Sequence, residues 1–387
     1  MVDIQSLPPS LSAPLLMFRR SSRVRPARRS LRRTACGAFA LLGVLALAPA
    51  AGAWWDAGHE TVAALAWRRL PAAKRTAWAD ILRRHPRYAE DFLAAMPPAI
   101  AAAGGDEGRA VRDEWLFRRA SVWPDVVRDY DVPDRRDAFH RGTWHYVNIP
   151  LYLTAADEAG VAAKLAAGEA VAPNVAFEVP PAAGPDDARG GEPGMNVVQA
   201  LQYNLGVALD EARPDPERAV ALCWVLHLGG DVHQPMHAVA LFSDSLLPEG
   251  DKGGNDVAVL ETPGQPGRNL HAVWDAAPGQ RFTAEEVTAN TARLLADPGL
   301  SAAGATAAET RDPRAWARES RELARWAVYT PDVLAYVRSR ELAAEAGRDP
   351  GTAPWRATPD YLAAARKLAD RRLTEAGFRL GAVLGGE

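Results

Sequence analysis

Residues 227–237 read His-Leu-Gly-Gly-Asp-Val-His-Gln-Pro-Met-His, three imidazoles and one carboxylate in a single short stretch. His227 and Asp231 are four residues apart, so on a helix they share one face. Gly229 and Gly230 have little helix preference, and their missing side chains let another element approach closely. Pro235 lacks a backbone donor and ends or bends the helix, which turns His237 back toward the same cavity or a neighbouring one. His271-Ala-Val-Trp-Asp275 repeats the spacing of four, with Asn269 placed to cap its helix. Imidazole nitrogen and carboxylate oxygen together suit a borderline divalent ion such as zinc.

Three further pieces belong with these: Ser121-Val-Trp-Pro-Asp125-Val-Val-Arg128, Trp144-His145-Tyr146, and Trp54-Trp55-Asp56-Ala57-Gly58-His59. The last follows a segment unlike the rest of the chain. Residues 1–34 carry eight arginines and one acid, Asp3; an apolar run then spans about Ala35 to Ala48, and Ala51-Gly52-Ala53 closes it. The run is short for a bilayer, which takes about 20 residues. Basic region, apolar region and small-residue site read as a secretory signal peptide over 1–53, cleaved after Ala53, with the mature chain over 54–387 and no membrane anchor after cleavage. The twin-arginine route through Arg28-Arg29 or Arg32-Arg33, and initiation at Met17, stay open. Cleavage frees the α-amino group of Trp54, whose reference pKa of about 7.7–8.0 allows it to give up a proton to a metal. That nitrogen and the Trp54 carbonyl oxygen can chelate one ion, and His59 is near enough to join them. In the uncleaved precursor the nitrogen is an amide and cannot.

The elements that must position these groups are helices. Hydrophobic residues make up 48% of the 387 and charged residues 24%, too apolar for a disordered chain. Helical apolar spacing predicts helices at Glu60–Leu70, Ala72–Arg84, Ala110–Ala120, Asn196–Glu211, Pro216–Gly229, Ala284–Leu295, Pro313–Val328 and Pro359–Val383, the last opened by Thr358. Ala172–Gly194 and Pro248–Gly267, rich in glycine and proline, read as loops. Neither divides the chain, because the chemical residues fall on both sides of each. The expectation is an all-α, single compact multi-helix domain, with no βαβ alternation and no phosphate-binding glycine loop. The net charge of −3 becomes about −10 once the eight arginines and one acid of residues 1–53 are removed. The mature chain is therefore no basic nucleic-acid clamp. Cys36 falls in the export segment, which leaves Cys223 beside Trp224 as a small core residue.

These motifs, in this order, resemble the zinc-dependent single-strand-specific nucleases of the mung bean nuclease type, in the superfamily that includes bacterial zinc phospholipase C. The match runs from Trp54 to at least Asp275. Position by position, the resemblance implies a trinuclear zinc cleft. Asp125, His145, His227 and Asp231 bind one zinc. Trp54, His59 and Asp231 bind a second, with Asp231 bridging, and His237, His271 and Asp275 bind a third. Arg128 matches an arginine that holds phosphate, Tyr146 an aromatic ring against the nucleobase, and Asn255 an asparagine at the base edge. Lys252 lies near phosphate, although an exposed loop lysine is the plainer reading. Asn148 stands where fungal and plant members often have aspartate, which leaves nucleotide preference open. The fungal and plant disulfides are absent, as in a bacterial-type member.

The implied reaction is in-line hydrolysis of a phosphodiester by zinc-activated water, with Asp125, Arg128 and Asp231 as catalytic residues and 5′-phosphate products. Three zinc ions less three carboxylates make the site about +3, so metals rather than surface cations attract the substrate. Substrates are then single-stranded DNA, RNA and nucleotides, with 3′-nucleotidase action open; the protein is a periplasmic or secreted monomer with no stable protein partner. A phospholipase C with the same metals is the alternative, but that relative has glutamate at the positions of Asp231 and Asp275. A non-catalytic zinc-binding protein is the second alternative, disfavoured because the second and third sets have too few side chains to close a site. A single helical histidine is more often a satisfied core residue than a ligand; five with three aspartates in order are not. His85 and His140 read as surface residues, and His233 as a helix-end polar group or a partner to a ligand. Trp67, Trp78, Trp224 and Trp326 read as packing, and Trp144 and Trp274 as walls of the metal cavity.

Overall fold

The structure is a computed structural model that describes residues 54–187, 194–279 and 283–386; the expected export segment lies outside them. Most of these residues are helical, in the order α1 (Asp56–Arg69), α2 (Ala72–Leu82), α3 (Pro98–Ala101), α4 (Gly105–Val126), α5 (Pro133–Phe139), α6 (Ala155–Ala167), α7 (Val197–Leu209), α8 (Asp215–Asp231), α9 (Leu270–Asp275), α10 (Ala284–Ala296), α11 (Pro298–Ala307), α12 (Pro313–Leu323), α13 (Pro331–Glu345) and α14 (Pro359–Gly385). The fold is all-α, as expected. Its starts are written in the sequence. Asn196 and Thr283 form capping boxes with Gln199 and Glu286. Asp297, Asp312, Thr330 and Thr358 each precede a proline at the first helical position, where the missing N–H costs nothing. Two of these four signals, at α11 and α13, were missed because their helices carry little apolar periodicity.

Two helices depart from their expected ends in ways that matter. α4 continues past Ala120 through Pro124 to Val126. A proline so near the C-terminus forfeits only one backbone bond, and the extra turn carries Asp125 to the helix end. α12 stops at Leu323 and gives way to a wide π turn over Ala324–Val328. The added residue changes the phase of the helix face, and Trp326, expected to pack, is 71% exposed.

α8 is the axis. From Ala221 to Ser243 every residue is buried, which fits a helix apolar on nearly all sides and enclosed by others. α1, α4, α7 and α14 pack around it. The two glycines are where its neighbours come closest. A Cβ on Gly229 would stand 2.7 Å from Leu380 of α14, and one on Gly230 would stand 2.8 Å from His59 Nδ1 of α1. Strands are few and short. β1 (Pro150–Tyr152) pairs in parallel with β2 (Ala240–Phe242), Leu151 opposite Leu241. This pairing ties the chain just after His145 to the chain just after His237, helped by Val147 N–H donating to the His237 carbonyl at 2.8 Å. β3 (Ala258–Leu260) lies between β4 (Arg268–Asn269) and β5 (Trp355–Arg356), and β4 leads directly into α9. Trp67, Trp78, Trp224 and Cys223 are core residues, as expected. Among the described residues, no helix is long and apolar enough to cross a membrane.

Candidate metal centre

Five elements deliver the chemical groups to one place: the start of α1, the end of α4, the turn at Gly142–His145, the end of α8 with the turn at Pro235–Ala238, and α9. Asn269 caps α9 by accepting from Ala272 N–H, so His271 and Asp275 share a helical face as their spacing predicted. Asp231 lies at the centre. Its Oδ1 faces His59 Nε2 at 3.4 Å. Its Oδ2 faces His145 Nδ1 at 3.0 Å and His227 Nε2 at 3.4 Å. Asp125 Oδ1 is 3.8 Å from His227 Nε2. The second focus has His271 Nε2 3.4 Å and His237 Nε2 3.8 Å from the two oxygens of Asp275. Ligand atoms of His59, Asp125 and His227, of His145, His227 and Asp231, and of His237, His271 and Asp275 each lie within 4.8 Å of one another.

Backbone carbonyls fix the tautomers. Nδ1 of His227 donates to Ser121 O at 2.8 Å, that of His237 to His145 O at 2.6 Å, and that of His271 to Gly253 O at 2.7 Å. With the proton on Nδ1, each Nε2 is a bare lone pair, and each points at a carboxylate oxygen. Acceptor thus faces acceptor inside the protein. His237 Nε2, Asp231 Oδ1 and Asp275 Oδ2 are buried without a hydrogen-bond donor. Burial pushes the Asp231 and Asp275 carboxyls well above the usual carboxylate range and drives His227 down to about 3 and His271 to about 4. A divalent cation relieves all of these conflicts at once. Two ligands on a tetrahedral ion with bonds of about 2.0–2.1 Å stand about 3.4 Å apart, the separation seen at His59, His227 and His271. The donor set therefore fits zinc.

Trp54 reaches the same place. Its indole donates to Gly230 O at 3.0 Å, next to Asp231, and the following amide, Trp55 N–H, donates to Asp275 O at 3.3 Å. Residues 54 and 55 thus bridge the ends of α8 and α9. Arg128 pairs with Asp125 at 3.2 Å. Arg128, Tyr146, Asn148, Lys252 and Asn255 line one cavity of about 280 Å3 whose other walls include His145, His237 and His271. Tyr146 is 40% exposed there. Asn255 is held in place, donating to Lys252 O at 2.8 Å and accepting from Asn269 at 3.0 Å, which still leaves one N–H and one lone pair. Lys252 pairs with Asp256 at 3.1 Å.

Residues 54–386 match the family model described as S1/P1 Nuclease. The chain belongs to the S1/P1 nuclease family. It is therefore a nuclease, of a metal-dependent kind. No curated protein matches it.

Some expectations need correction. His85 is buried, not at the surface: its Nδ1 accepts from Arg87 N–H at 3.1 Å, its ring stands edge-on to Trp123, and burial lowers it to about 3. His140 is half-buried beside Arg128, Arg136 and Arg141, and burial with these cations lowers it to about 4. His233 is a buried strut, donating to Gly229 O at 2.7 Å and accepting from Arg379 at 2.9 Å. Trp144 and Trp274 do not wall the metal cavity. Successive helical residues point about a third of a turn apart, so a ligand facing the site sends its neighbour into the interior. Trp274 packs against Tyr361. Trp144, with Tyr203 and Trp224, lines a separate cavity of about 450 Å3 that holds none of the metal-ligand candidates. Pro248–Gly267 is more than a loop, because its turn builds the site rim. Ala172 to Asp187 is strapped down: Asn196 and Gln199 bond its carbonyls, and Asp187 accepts from Trp144.

Three supports went unread. Gln234 donates to Asp275 Oδ1 at 2.7 Å; it stands between two candidate ligands in the motif, and that position was its signal. Gly253 supplies the carbonyl that orients His271. Asp251 holds the turn before it, accepting from Leu241 N–H at 2.9 Å and Tyr329 OH at 2.6 Å.

Proposed function

We propose that this nuclease is an exported, zinc-dependent endonuclease that hydrolyses phosphodiester bonds of single-stranded DNA and RNA, leaving 5′-phosphate ends. The observation that carries this reading is the set of bare Nε2 atoms facing buried carboxylates, two of which, on His237 and His271, belong to residues that line one cavity with Arg128 and Tyr146. Three ions fit the donors. Asp125, His145, His227 and Asp231 hold one; the Trp54 amine and carbonyl, His59 and Asp231 a second; His237, His271 and Asp275 a third. Zinc bound there supplies Lewis acidity and brings the pKa of water to about 7.

The chain's own residues do the rest. Arg128 faces the cavity, where its guanidinium meets the non-bridging oxygens and stabilises the charge that grows on them. Asp125 orients it. Tyr146 stacks a base, an interaction worth roughly 1–3 kcal/mol that tolerates any base but needs it unpaired. Asn148, Lys252 and Asn255 line the same cavity around the nucleotide. The neutral imidazoles of His227, His237 and His271 keep their Nε2 lone pairs for metal at physiological pH, each anchored by a carbonyl as ligating histidines usually are. Cleavage after Ala53 completes the second set by freeing the Trp54 amine. The test is digestion of matched single- and double-stranded oligonucleotides, DNA and RNA, with the product ends mapped, alongside phosphatidylcholine. Preferential cleavage of single strands to 5′-phosphates is expected. Equal cleavage of duplex, 3′-phosphate ends, or lipid hydrolysis alone would refute it.

A further inference from the structure

The cavity of about 280 Å3 is at the small end of ligand sites. It has room for one nucleotide, so the rest of a strand must run over its rim. On one rim Lys252 is already paired with Asp256. From Arg128, which lines the cavity, the chain reaches Tyr130 two residues later. That ring is 79% exposed. Arg136 of α5 covers one face of it, with the guanidinium carbon 4.2 Å from the ring centroid. A ring backed by arginine with its other face open is the arrangement on which single-stranded nucleic acid stacks.

We propose that Tyr130 and Arg136 form an outer subsite for single-stranded nucleic acid, with the ring stacking a base beyond the one in the cavity and the guanidinium edge meeting its phosphate. The subsite rests on the nuclease reading and extends it. Arg136 and Arg128 both act on His140 and help to hold it neutral, so the outer platform and the phosphate-facing arginine share one neighbourhood. The nearby acids are partly answered: Asp125 pairs with Arg128, and Asp129 pairs with Arg135 at 3.3 Å. Asp131 and Asp134 are exposed and limit the gain from charge, so stacking carries more of the binding.

The test compares Tyr130→Ala, Tyr130→Phe and wild type on a dinucleotide and on a single-stranded oligonucleotide several residues long. Tyr130→Ala should raise KM for the oligonucleotide at least about fivefold, the weak end of base stacking, and leave the dinucleotide unchanged. Tyr130→Phe should retain wild-type values, because the face and not the hydroxyl does the stacking. An unchanged KM on the oligonucleotide overturns the subsite, as does an equal loss on both substrates. A wild-type protein that cleaves neither substrate overturns the nuclease reading beneath it.

Discussion

Asp231 presents one oxygen to His59 and the other to His145 and His227, while Asp275 faces His237 and His271 and accepts from Gln234. The two carboxylates should therefore fail differently. Asp231→Ala is expected to lose two metal equivalents together and to cut activity by more than the roughly 10–100-fold typical of groups that merely support a ligand. Asp275→Ala should lose one. Metal analysis of the two purified variants separates these outcomes, and equal losses would count against a bridging Asp231. His85 offers a test of stability away from the metals. It is buried and neutral, lowered to about 3 from its ordinary 6.5. The unfolded chain therefore binds a proton that the folded chain refuses between those values, at about 1.4 kcal/mol per unit of difference. The stability this histidine supports is full above pH 6.5 and is lost as pH falls toward about 3. Thermal melts from pH 7 to pH 4 should show a smaller drop in Tm for His85→Phe than for wild type.

At the level of elements, close approaches set the site. Gly229 and Gly230 are adjacent but face different neighbours: an added Cβ meets Leu380 of the C-terminal helix at the first and His59 at the second. Gly229→Ala should cost stability, about 1–3 kcal/mol as for other overpacked positions, and leave metal content intact. Gly230→Ala should displace His59 and lower metal content. Paired melting curves and metal analysis check both. The turn at residues 252–254 has three consecutive positive φ angles, 56°, 64° and 81°, and a Cβ on Gly253 would lie 2.5 Å from Met236 O. Only glycine keeps the Gly253 carbonyl under His271. This is also where sequence reading reached its limit. The helices with strong apolar spacing and proline starts were legible, as were the ligand candidates, because their chemistry and order do not depend on packing. His85 was misread as exposed because no sequence period marks a residue buried against Trp123 and Phe92. Gln234 and Asp251 act through contacts that only the folded chain creates, and Trp326 is exposed because a π turn shifted the phase of its helix.

For the molecule as a whole, charge and the proposed export cleavage meet at the first described residue. A chain of about −10 without residues 1–53 has little to draw a polyanion except the metals it holds. Trp54 is buried between the ends of the helices that carry Asp231 and Asp275. Protein that begins at Trp54 should therefore bind one more metal equivalent than protein that keeps even one residue ahead of it, as metal titration of the two forms would show. The most direct test of the whole account is metal counting on protein beginning at Trp54, with single-strand cleavage measured before chelation, after chelation and after zinc is returned. The account predicts about three zinc ions per chain, activity abolished by the chelator and restored by zinc. Full cleavage by protein stripped of metal would contradict it.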